Sequence, residues 1–144
     1  MKFWDSSAIL PLIVDEPSAP QVMPLVTADR TMVVWWGTWV ECCSAIARRH
    51  RDGIIDDQQV ARSHKLLDML SAEWVVVEAS KPVAITAARL VRTHPLTAAD
   101  ALQLAAAIIL PDPGTSHHTE FVCLDKRLVK AAKAEGFTVL PATL

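Results

Sequence analysis

Short runs of β-forming apolar residues alternate with stretches of helical periodicity along the whole chain, and this alternation narrows the possible folds more than any other feature. Strands are expected over 2–5, 31–36, 74–78, 121–124 and 137–140. Between them lie helical patterns. The first follows Ser6 or Ser7 as a cap and carries Ile9, Leu10, Leu12 and Ile13; the second opens at Pro17-Ser18. A third runs over 39–51 with Thr38 as its cap and Asp52-Gly53 as its stop, and others cover 57–70, 82–91, 97–110 and 126–134. Strands separated by helices cannot close as hairpins. The expectation is therefore an α/β fold: three α/β/α layers around a central, mostly parallel sheet of four to five strands. No repeat or linker divides the chain, so 1–144 reads as a single domain.

Composition fits that architecture. Apolar residues make up 51% of the chain and mean hydropathy is +0.26, as a sheet covered on both faces requires. The longest apolar stretch, 98–110, is interrupted by Asp100 and Gln103 and is too short to span a bilayer. No basic, apolar leader opens the chain, so a cytoplasmic protein with no membrane partner is expected. Net charge is −2, which argues against a molecule that binds polyanions over its whole surface. Local cationic clusters remain: Arg48-Arg49-His50-Arg51, Arg62 with Lys65, and Lys126-Arg127 with Lys130 and Lys133. Solvated helix faces explain each cluster singly. Cys42, Cys43 and Cys123 are odd in number and lack zinc spacing, and they read as buried reduced thiols.

The chemistry lies in four acids. Asp5 ends the first strand and Asp125 follows the fourth. In an open parallel sheet the carboxyl ends of the strands form the ligand crevice, so these two can meet although 120 positions separate them. Each is equally well placed to cap the helix after it. Asp100 stands three residues after Thr97, a capping-box spacing, yet it opens an Ala-rich helix that is apolar nearly all round. A buried, unpaired carboxylate there would need a cation or hydrogen bonds. Glu41 lies in the first turn of the helix after an apolar strand, with Ser44, Ala45 and Arg48 on its face. An ion pair with Arg48 is the plain reading; an approach route to a functional acid is the other. Taken together, four crowded carboxylates repel unless a cation lies among them. All-oxygen ligation selects a hard ion, Mg²⁺ or Mn²⁺. No glycine-rich phosphate loop, nucleophile elbow or Cys/His zinc spacing competes.

Four segments in order carry a family resemblance. They are Asp5-Ser6-Ser7-Ala8-Ile9-Leu10, Val40-Glu41-Cys42-Cys43-Ser44-Ala45-Ile46-Ala47-Arg48, Leu96-Thr97-Ala98-Ala99-Asp100-Ala101-Leu102-Gln103-Leu104-Ala105 and Phe121-Val122-Cys123-Leu124-Asp125-Lys126-Arg127-Leu128. This pattern resembles the PIN-domain ribonucleases, specifically the VapC-type toxins of type II toxin–antitoxin systems. The resemblance implies a metal-dependent endoribonuclease that cleaves RNA phosphodiester bonds with a metal-activated water, leaving the ribose oxygen on the 3′ side. It implies Asp5 and Asp100 as the principal acids at Mg²⁺ or Mn²⁺, Glu41 and Asp125 completing the pocket, and Ser7 in support. It also implies a homodimer and inhibition by a small cognate VapB-like antitoxin. Arg48, Arg49, Lys126 and Arg127, beside the acidic motifs, are candidates to grip flanking phosphates.

Other readings are weaker. A catalytically silent module would use the same acids only to hold a cation or a partner. A receiver-like phosphoacceptor domain would need an acid adjacent to Asp5, and none is there. His117-His118 with Glu120 reads as a solvated loop rather than a metal site. Trp35, Trp36 and Trp39 read as core or interface rather than a stacking platform for bases.

Overall fold

Alternating residues of five short strands divide between two apolar layers, and this fixes the sheet and the helices on either side of it. The computed structural model describes residues 1–29, 31–110 and 119–142. In chain order the elements are β1 (Lys2–Trp4), α1 (Ser6–Ile13), α2 (Ala19–Ala28), β2 (Met32–Trp35), α3 (Thr38–Arg51) and α4 (Asp57–Ser71). There follow β3 (Val75–Val77), α5 (Lys81–Thr93), α6 (Ala98–Ile109), β4 (Phe121–Val122), α7 (Lys126–Ala134) and β5 (Val139–Leu140). The strands form one sheet in the order β3-β2-β1-β4-β5. Every pairing is parallel. The expected three-layer α/β/α architecture is the one observed.

On one face Phe3, Val33, Trp35, Phe121 and Val139 pack against α5, α6 and α7. On the other, Trp4, Met32, Val34 and Val122 meet Ile9 of α1, Val22 of α2, Ile46 of α3 and Leu67 of α4. The period of two along each strand is what lets both faces be apolar. Phe3 and Phe121 stack across β1 and β4 with centroids 5.4 Å apart.

Strand edges differ from expectation at two places. β4 ends at Val122, because Leu124 leaves the ladder and donates its amide to Ser7 Oγ, 2.9 Å away. β3 is an edge strand, so Val75 and Val76 are 46% and 38% exposed although they are apolar. Of the cap candidates for α1, Asp5 takes the place and Ser6 and Ser7 lie inside the helix; at α3 the cap shifts by one residue, to Gly37, with Thr38 inside the helix. Cys42 and Cys123 are buried free thiols as expected, whereas Cys43 is half-buried. Among the described residues no helix is long and apolar enough to cross a membrane.

The order of strands places the crevice. The chain leaves β1 toward β2 on the α1–α4 face and leaves β4 toward β5 on the α7 face. Connections diverge between β1 and β4, and there the carboxyl ends open a cleft.

Candidate active site

Asp5 and Asp125 stand at that divergence, each the first residue before a helix. Asp5 Oδ2 accepts from Ser7 N at 3.1 Å, and Asp125 Oδ1 accepts from Leu128 N at 3.0 Å. Both are true N-caps, and capping occupies one oxygen of each. The other oxygen of Asp125 has no hydrogen bond among the described residues. The plain and the functional readings of these acids are therefore compatible in a single side chain.

Asp5 is 3% exposed, and the other fully buried acid, Asp29, makes an instructive contrast. Asp29 takes Lys2 N at 2.9 Å, Trp4 Nε1 at 3.1 Å and the Met1 ammonium at 3.1 Å. Its charge is paired. Asp5 has the backbone and side chain of Ser7 and the weak Cys123 thiol donor at 3.6 Å, and no cation among the described residues. Burial pushes its carboxyl from 3.8 up to about 6; hydrogen bonds from Ser7 oppose this, and the charges of Glu41 and Asp100 add to it. Burial and the Asp5 charge hold the Cys123 thiol well above its ordinary range, so it stays protonated and acts as a donor.

Glu41 enters from the first turn of α3. Its Oε2 accepts from Ser6 Oγ and from Gln103 Nε2, both at 2.9 Å. The expected alternative, an ion pair with Arg48, does not form; Arg48 points to solvent. Burial raises the Glu41 carboxyl, its two hydrogen bonds lower it, and Asp100 raises it again. Asp100 lies half-buried at the mouth of α6, where the Thr97 hydroxyl accepts its amide at 3.2 Å. Burial raises this carboxyl and the Asp125 charge raises it further, while Thr97 and the Arg127 charge pull it down.

Electrostatic influence links the four sequence-predicted acids, which come from four different segments of the chain, pair by pair. Asp5 feels Glu41 and Asp100, Glu41 feels Asp100, and Asp100 feels Asp125. Among the described residues, however, no group of three or more His, Cys, Asp or Glu side chains is placed to hold a metal ion. In chemical kind the donors fit a hard divalent cation: carboxylates with one oxygen to spare, flanked by hydroxyls, with the nearest thiol held protonated.

Beside Asp125 a groove of about 470 Å³ is lined by Ser7, Leu10, Gln21, Arg49, Leu124 and Lys126. Arg49 is partly spent there, since it pairs with Glu16 and also donates to Ala45 O. Lys126 and Arg127 are exposed. Trp35 is buried in the core, whereas Trp36 and Trp39 are 57% and 45% exposed beside the Glu41 turn. His117 and His118 lie outside the described residues.

Two residues near the acids were not singled out from sequence. Gln103 is fully buried and joins Glu41 to Thr38, and Ser6 anchors Glu41 from α1. Gln103 did leave a signal: it interrupts the apolar run of α6, and a buried amide demands partners.

Comparison with known proteins agrees with this geometry. The PIN domain model matches residues 2–134. Two curated relatives, Ribonuclease VapC45 and Ribonuclease VapC49 of Mycobacterium tuberculosis (strains CDC 1551 / Oshkosh and H37Rv), are each 28% identical over 142 residues. Those alignments cover 99% of this chain and 96% of each relative. The crystal structure of PAE2754 from Pyrobaculum aerophilum has the same fold, with a TM-score of 0.68 at 19% identity. That match covers 96% of this chain and 83% of the other.

Proposed function

Because this chain belongs to the PIN domain family, we propose that it is a single-domain, Mg²⁺- or Mn²⁺-dependent endoribonuclease of the VapC toxin type, cleaving RNA with Asp5, Glu41, Asp100 and Asp125. One observation supports the reading: burial raises Asp5, Glu41 and Asp100, and the charge of another of the four acids raises each of them further. A fold that gathers negative charge at such cost has a use for positive charge there. The similarity to two ribonucleases named VapC over nearly the whole chain supports the same substrate class.

In this proposal Asp5 and Asp100 hold the cation, and Glu41 and Asp125 complete its surroundings. The bound ion supplies Lewis acidity, lowering the pKa of a water and offsetting charge on the phosphoryl group. Glu41 or Asp125, whichever is less committed to the ion, takes the proton from the attacking water. Lys126, Arg127 and Arg48 meet flanking phosphates by charge, and their contacts position the strand without reading its sequence. Arg49 contributes less, because Glu16 already neutralises it. A homodimer and a small VapB-like antitoxin that blocks the acidic cleft are the proposed partners.

The direct test is cleavage of a mixed RNA substrate by the purified chain with Mg²⁺, Mn²⁺ or EDTA. Activity should require the ion and fall about 100-fold or more in Asp5→Asn and Asp100→Asn. Cleavage that survives both EDTA and these substitutions contradicts the proposal. Cation binding without cleavage would favour the silent module instead.

A further inference from the structure

We infer that Gln103 and Ser6 clamp one oxygen of Glu41, Oε2, and so reserve Oε1 as the single working atom of that carboxylate. The inference rests on the cation-site reading of the four acids and deepens it by naming positioning residues.

Gln103 is 0% exposed on α6, and neighbours along that helix such as Leu104, Ala105 and Ala106 are equally buried and apolar. A packing role alone would be met by a hydrocarbon of similar volume. Instead both hydrogens of its amide are used: Nε2 lies 3.0 Å from Thr38 Oγ1 and 2.9 Å from Glu41 Oε2. Thr38, also 0% exposed, returns its hydroxyl to Gln103 Oε1 at 3.4 Å. The orientation of the amide is dictated by its partner. Turned the other way, its carbonyl oxygen would face a carboxylate oxygen, acceptor against acceptor.

Ser6 completes the clamp from a different element, 2.9 Å from the same Oε2. Two donors converging on one oxygen fix a side chain that otherwise has three rotatable bonds, and among the described residues Oε1 carries no hydrogen bond. The clamp joins α1, α3 and α6 at the cleft. Gln103 follows Asp100 by three positions, so one face of α6 presents both a proposed ligand and the residue that orients another. Groups that orient ligands in this way are worth about 10–100-fold in metal affinity.

The experiment is Mn²⁺ binding to the full chain by isothermal titration calorimetry, with RNA cleavage measured in parallel. Gln103→Met keeps the volume and removes the donors; it should weaken Mn²⁺ binding about 10-fold or more and lower kcat with little change in KM for RNA. Ser6→Ala should weaken Mn²⁺ binding about 3-fold to 10-fold, and Ser6→Thr, which retains the hydroxyl, should restore it. Leu104→Met, a packing control on the same helix, should bind Mn²⁺ as the wild type does. If Gln103→Met fails to fold, the Ser6 pair decides. Wild-type affinity in both Gln103→Met and Ser6→Ala, with Asp5→Asn defective, overturns the clamp and leaves the site standing. Wild-type affinity in Asp5→Asn overturns the site, and the clamp with it.

Discussion

Asp5 is buried with no cation beside it among the described residues, only Ser7 and a thiol as donors, and the consequence is measurable without any substrate. An unfolded aspartate ionises near 3.8 and the folded one near 6. Between those values the folded chain keeps a proton that the unfolded chain has lost. Stability of the metal-free protein therefore falls as pH rises through this window, and by pH 7 the full cost, about 3 kcal/mol, is present. Asp5→Asn keeps an acceptor for Ser7 N and removes the charge. In EDTA at pH 7.5 it should melt about 5 °C or more above the wild type, and near pH 4 the difference should vanish. Calorimetry at the two pH values checks this; a variant that melts lower at both would show that the charge is not costly. At this scale the four acids were legible because each follows a strand or opens a helix. Gln103 was visible only as a polar residue in an apolar run, since nothing in linear spacing tells which side chain it will meet 62 positions away.

The elements explain how capping and chemistry share residues. Asp125 caps α7 through Oδ1, so its two roles can be separated by substitution. Asp125→Ser preserves a capping oxygen and should stay within about 0.5 kcal/mol of the wild type, while Asp125→Ala should lose about 1 kcal/mol. RNA cleavage should fall in both, because both lack the carboxylate. Equal activity of the Ser variant and the wild type would reduce Asp125 to a cap. The β2–α3 turn makes a different demand. A Cβ on Gly37 would come within 2.5 Å of Trp35 Nε1, and Trp35 is a buried indole in the core. Gly37→Ala should cost about 1–3 kcal/mol, read as a lower urea midpoint with a shifted tryptophan emission. Element order and type were legible from alternation and turn residues. The α1 cap was left open between Asp5 and the serines after it, and the α3 cap was off by one at Gly37, because Asp, Ser, Thr and Gly all suit that place and only packing chooses among neighbours.

For the whole molecule, the sheet order β3-β2-β1-β4-β5 puts the carboxyl ends of β1 and β4, which lead into Asp5 and Asp125, side by side. Alternating strands and helices implied a parallel sheet but not which strand lies at its edge, and so the exposure of Val75 and Val76 was hidden. Global charge was likewise uninformative. The chain is acidic overall, at −2, while Lys126 and Arg127 stand exposed beside the cleft. Everything proposed for the site depends on one divalent ion shared by oxygens of Asp5, Glu41, Asp100 and Asp125. Crystals grown with Mn²⁺ and measured for its anomalous scattering test that directly. The expected result is a peak in the cleft, in direct contact with oxygens of Asp5 and Asp100 and within one water of Glu41 and Asp125. A peak elsewhere, or an empty cleft in crystals saturated with Mn²⁺ at neutral pH, would contradict it.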